Sequence, residues 1–177
     1  MLDELGISYV VVGSFASSMR GLYRATGDID IMADIKAEHV KPLVAALQED
    51  FYVDDLAVRR AVARHGSFNA IHFDSVFKID VFIPPADDFS VQQLARRQLE
   101  TIAPDVNQKI YVATAEDTVL SKLKWYRAGG EGSDMQWRDV LGVIGTQGES
   151  LDVEYLRIWA AKLNLNDLLE RVLSEAS

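Results

Sequence analysis

The stretch Val10–Asp34, VVVGSFASSMRGLYRATGDIDIMAD, decides how the chain is read. An apolar run ends in Gly13-Ser14, and some fourteen residues on come Asp28 and Asp30 with Ile29 between them and Ile31 after. Side chains on a strand alternate between faces, so a strand over Gly27–Ala33 puts both aspartates on one face and both isoleucines on the other. Two carboxylates about 7 Å apart along one face repel unless a cation sits by them. A divalent metal ion is the usual remedy, and Mg²⁺ takes a few carboxylates together with phosphate oxygens. Upstream, Gly13 suits a tight strand-to-helix turn. Ser14 suits the helix start, whose free N–H groups can hold a phosphate.

A third acid follows. In FKIDVFI, residues 77–83, Lys78, Asp80 and Phe82 share one face of a strand, and Phe77, Ile79, Val81 and Ile83 share the other. An acid inside an apolar strand is costly to bury unless paired. The plain explanation is a salt bridge with Lys78; with Asp28 and Asp30 upstream, a metal ligand is the reading preferred here. Each piece has a plain alternative of its own. Gly-Ser is also an ordinary helix-capping turn, and Asp-x-Asp also occurs on solvated strand edges and in glycosyltransferases that use nucleotide sugars. The chain has neither the Gly-Lys-Ser/Thr of a P-loop nor a GxGxxG.

In this order the pieces resemble the nucleotidyltransferase superfamily related to DNA polymerase β, whose signature is an apolar strand, Gly-Gly or Gly-Ser, a helix, an Asp-x-Asp or Asp-x-Glu strand, and a third carboxylate on a later strand. Arg24-Ala-Thr26 before Gly27-Asp28 narrows the resemblance to bacterial nucleotidyltransferases that include the AbiE-type toxins of toxin–antitoxin systems. Those proteins carry a later apolar-x-x-Lys segment and an Asp-containing helix, matched here by Val119-Leu-Ser-Lys122 and Arg138-Asp139. The family pattern often has a second Asp where this chain has Gly142, and full toxins have a longer helical C-terminus.

The resemblance implies an α+β, mixed α/β nucleotidyltransferase fold: a mixed β-sheet flanked by helices, with a C-terminal helical region. It implies Mg²⁺ or Mn²⁺ on Asp28, Asp30 and Asp80, with Asp80 as base for an acceptor hydroxyl. It implies a nucleoside triphosphate as substrate, bound through Gly13, Ser14, Arg24, Thr26 and Lys122. It implies that Asp139 assists catalysis, and that an antitoxin protein is the partner if the chain is a toxin. The acceptor stays open between an RNA 3′ end, a protein hydroxyl and a small molecule such as an antibiotic. A non-catalytic nucleotide sensor with the same fold, and a sugar-nucleotide enzyme, are the rivals.

The remainder of the chain is consistent with one sheet-based core over 1–113 and a helical region over 114–177 packed on it. Met1–Gly6 looks like the end of a short helix, with a further helix expected upstream. Strands are expected at Ser8–Val12 and Phe51–Val53, as a hairpin at Phe68–Phe73 and Val76–Ile83, and as a last edge strand at Tyr111–Ala113. Helices are expected at Phe15–Leu22, Lys36–Glu49, from Asp54 or Asp55 to Ala63, at Ser90–Gln98, from Thr114 to Gly129, and at Met135–Ile144, Asp152–Leu163 and Asn166–Ser174. In the second of these Val40, Leu43, Val44 and Leu47 make one stripe. Thr114-Ala-Glu-Asp117 has the form of a capping box.

Composition sets the outer bounds. The 177 residues are 49% hydrophobic, enough for a core, and no run of about 18 apolar residues suggests a membrane span. The absence of cysteine excludes disulfides and thiolate metal sites and suits the cytoplasm. His39, His65 and His72 lack metal-ligand spacing. With 27 acidic against 18 basic residues the net charge is −9, which argues against generic nucleic-acid binding. Two basic clusters stand out, Arg59-Arg60 with Arg64, and Lys122 with Lys124 and Arg127 beside Trp125. Either could meet phosphate, and either could be a solvated helix face.

Overall fold

The computed structural model describes residues 1–23, 26–103 and 106–176. The chain divides into two compact units, one made of Met1–Val12 and Thr26–Val112, the other of Gly13–Ala25 and Ala113–Ser177. The second unit takes the 13–25 segment from the middle of the site-bearing stretch.

The first unit is built on a seven-stranded mixed sheet in the order β3-β4-β5-β2-β1-β7-β6. Its strands are β1 (Tyr9–Val12), β2 (Asp28–Ala33), β3 (Phe51–Tyr52), β4 (Ser67–His72), β5 (Lys78–Phe82), β6 (Gln98–Ala103) and β7 (Val106–Val112). β2 lies antiparallel to β1 and parallel to β5. The hairpin β4–β5 forms as the alternation of its residues requires, with Phe68 opposite Val81 and Ala70 opposite Ile79. Helix α2 (Ala37–Leu47) buries Val40, Leu43, Val44 and Leu47, the stripe visible in the sequence. Leu43 and Leu47 line a small apolar cavity with Ile31, Phe68, Ile79 and Val81, so α2 covers the isoleucine face of β2 and β5. Strand alternation then turns Asp28, Asp30 and Asp80 to the other face. Asp54 caps α3 (Asp55–Arg64) by accepting from the amides of Leu56 and Ala57, and Asp87 caps α4 (Asp88–Arg96) through the amide of Ser90.

One expectation for the sheet is corrected. The segment read as an edge strand at Tyr111–Ala113 is the end of β7, which runs parallel to β1 with Val112 beside Val11. The edge is β6, paired antiparallel to β7. Gln98, expected as the last residue of the Ser90–Gln98 helix, starts that edge strand. Tyr111 holds it in place: its ring meets Tyr9 edge-on at 5.7 Å, and the Arg97 guanidinium stacks 4.5 Å from its centroid.

The second unit is helical: α1 (Gly13–Arg20), α5 (Ala115–Ala128), α6 (Asp134–Gln147), α7 (Val153–Leu163) and α8 (Asn166–Ala176), with a 3-10 turn at Gly148–Ser150. Thr114 caps α5 by accepting from the Asp117 amide at 3.1 Å. Asn164 ends α7 in the left-handed region, φ 57°. Val119, Leu120, Leu123, Val140, Leu156 and Val172 are fully buried among these helices. Helix α1 belongs here because Arg20 Nε donates to the Ala113 carbonyl at 2.9 Å and Gln147 Nε2 donates to the Arg20 carbonyl at 2.6 Å. Among the described residues no helix is long and apolar enough to cross a membrane.

Candidate active site

In the first unit the strand register brings the three sequence-selected acids together. Asp30 pairs with Asp80 across the parallel β2–β5 ladder, and Asp28 pairs with Lys78 two residues away on the same face. The Lys78 ammonium lies 2.6 Å from Asp80 Oδ2 and 3.9 Å from Asp28 Oδ2. The salt bridge that gives Asp80 its plain explanation is therefore present. The hydrogen bond to Asp80 holds Lys78 above its ordinary lysine value against partial desolvation, and the charges of Asp80, Asp28 and Asp30 push the same way. Thr26 donates from its hydroxyl to Asp28 Oδ1 at 3.0 Å and to the Asp28 carbonyl at 3.0 Å, fixing the first acid at the start of β2. Asn69, opposite Asp80 on β4, reaches Asp80 Oδ1 at 3.5 Å.

The donor chemistry of this set is hard oxygen only, which fits Mg²⁺ or Mn²⁺. Among the described residues no three acids or histidines are already drawn in around one point as a finished metal cluster. The oxygens of Asp28 and Asp80 instead address a cation that the chain supplies itself. In the sequence Lys78 shows only as a salt-bridge partner for Asp80; the signal of its wider role is its place two residues before that acid.

The other candidates lie in the second unit. Gly13 opens α1 with φ 64°, a conformation that glycine adopts without strain. Ser14 follows in the first turn, and its carbonyl accepts from the Ser17 hydroxyl at 3.0 Å. Lys122 and Asp139 meet: Lys122 Nζ donates to Asp139 Oδ2 at 2.8 Å and to Gln136 Oε1 at 3.1 Å. The Lys122 side chain is 4% exposed and that of Asp139 13%. Arg24 lies outside the described residues. Part of each basic cluster is paired with acids. Arg127 pairs with Glu131 and with Asp167, and Arg59 pairs with Asp55.

No protein-family model and no curated protein matches the chain. Solved structures do. An antigenic nucleotidyltransferase-like protein from Paracoccidioides brasiliensis superposes with a TM-score of 0.58 at 18% identity, over 98% of this chain and 87% of the other. The solution structure of the antibiotic-resistance factor ANT(2″)-Ia gives 0.56 at 16% identity, over 98% of this chain and 91% of that one. Its crystal structure in complex with adenylyl-2″-tobramycin gives 0.52 at 14% identity, over 92% and 90%. The chain has the nucleotidyltransferase fold, the mixed sheet with flanking helices that the Val10–Asp34 stretch implies.

Proposed function

We propose that the protein is a metal-dependent nucleotidyltransferase that moves a nucleoside monophosphate from a nucleoside triphosphate to an acceptor hydroxyl. The observation that carries this reading is the register of β2 on β5, which sets Asp30 beside Asp80 and Asp28 beside a lysine ammonium on one sheet face. Three carboxylates gathered on one face repel one another and give no stability of their own unless a cation joins them. Asp28, Asp30 and Asp80 would hold the metal. A divalent ion held there would supply positive charge to acidify an acceptor hydroxyl and to offset the charge of the pyrophosphate leaving group. Asp80 takes the proton from that hydroxyl, and Thr26 keeps Asp28 oriented. The new P–O bond forms as the bond from the α-phosphorus to the pyrophosphate oxygen breaks.

ANT(2″)-Ia in complex with adenylyl-2″-tobramycin supports a small hydroxyl compound as acceptor, and the AbiE-type motif order supports RNA or protein in a toxin. The test is pyrophosphate release from each of the four ribonucleoside triphosphates with Mg²⁺ or Mn²⁺ and total cellular RNA, a protein or a small hydroxyl compound as acceptor, beside the Asp28→Ala/Asp30→Ala variant. Release that needs metal and falls to background in the variant is the expected result, and the labelled product then identifies the acceptor. Undiminished release by the variant overturns the assignment. Metal-dependent nucleotide binding without pyrophosphate release moves the protein to the sensor class.

A further inference from the structure

We propose that Lys78 is a built-in counter-cation that holds the acidic face together before a divalent metal binds, and that the metal must displace it. The inference rests on the metal reading above. Its basis is placement. Lys78 stands opposite Asp28 in the β2–β5 ladder and two residues before Asp80, so one side chain is set between acids of two strands. Its ammonium contacts Asp80 Oδ2 at 2.6 Å and lies 3.9 Å from Asp28 Oδ2. Two of the three acids that would ligate the ion thus already face an occupant.

An ammonium and a divalent ion compete for the same oxygens. The lysine is held by the strand and is present at all times; the metal brings twice the charge and pays with its hydration shell. Lys78 can yield, because its side chain is 40% exposed and its four-carbon stem can carry the charge into water. A set arranged in this way stays folded without metal, and its metal affinity is lower than the acids alone would give. The ion pair and the metal site, rivals as explanations of Asp80, are then two states of one device.

The test compares wild type with Lys78→Met, which keeps the stem and removes the charge, with Lys78→Gln as a second neutral variant and Lys78→Arg as the charge-preserving control. Mn²⁺ binding is measured without nucleotide by electron paramagnetic resonance of the free ion. Thermal melts are recorded in EDTA and in saturating Mn²⁺. The neutral variants should bind Mn²⁺ about two- to fivefold more tightly, the range an exposed ion pair supports. They should melt below wild type in EDTA, with the gap closing in Mn²⁺, and Lys78→Arg should track wild type. Equal or weaker Mn²⁺ binding by both neutral variants, with wild-type binding still lost in Asp28→Ala/Asp30→Ala, overturns the role of Lys78 and leaves the metal site standing. No Mn²⁺ binding by wild type or by either neutral variant overturns the metal reading and this inference with it.

Discussion

The lysine at position 122 shows how differently two cations of this chain are used. Lys78 is an accessible charge among acids on a sheet face. Lys122 is almost wholly buried, with its ammonium committed to Asp139 and Gln136 on the neighbouring helix. A buried pair repays desolvation only while both partners are present, and removing one leaves an uncompensated charge in the interior. Lys122→Met should therefore cost about 3 kcal/mol of stability, measured by urea unfolding, and Lys122→Met/Asp139→Leu should recover most of that loss. A single variant as stable as wild type would show that the pair carries little of the packing of α5 on α6. The two motif residues taken from the family pattern were legible as residue types at the right spacing. That they bond to each other was not, because Lys122 and Asp139 sit on different helices whose rotation is set by packing.

At the scale of the element, the informative contact is where α1 ends. A Cβ on Gly21 would lie 2.7 Å from the Val143 amide nitrogen and 2.8 Å from the Gly142 carbonyl carbon, both backbone atoms of α6 that cannot move aside cheaply. A Cβ on Gly142 would meet Leu22 at 3.5 Å, ordinary contact. Overpacking at such a contact costs about 1–3 kcal/mol, so Gly21→Ala should lower the melting temperature clearly while Gly142→Ala changes it little. Similar melts for the two variants would refute the close approach. The same contact gives Gly142, the departure from the toxin pattern, a structural setting: it lies against the chain that leaves α1. Elements with strong local chemistry were legible in advance, among them α2 by its apolar stripe, α3 by Asp54, and α5 by Thr114. The β6–β7 hairpin was not. Its first residues, Gln98-Leu-Glu-Thr, follow a helix without an intervening glycine or proline, and only the partner strand and the stacked Arg97–Tyr111 pair make them extended. The sorting of α1 with the C-terminal helices was equally hidden, since it depends on Arg20, Gln147 and Gly21 meeting residues more than ninety positions away.

For the whole molecule the deciding quantity is charge. A net charge of −9 opposes association with a polyanion, and affinity for nucleic acid at physiological salt comes mainly from cations that replace condensed counterions. Many cations of this chain are already engaged by its own acids: Lys36 with Asp34, Arg59 with Asp55, Arg127 with Asp167, Arg157 with Glu170 and Arg171 with Glu175. Each phosphate contact made by these side chains would first have to break an existing pair, so the free energy gained per contact is smaller than for an unpaired lysine or arginine. The expected result is that total cellular RNA is not retained in a filter-binding assay at 0.15 M salt, with an apparent dissociation constant weaker than about 100 µM, the weak end of non-specific binding. Pyrophosphate release should correspondingly be unchanged by added RNA and should rise with a protein or small hydroxyl acceptor. Tight retention, or release that depends on RNA, would show that a local surface overrides the overall charge and would favour the RNA-modifying toxin over the small-molecule transferase.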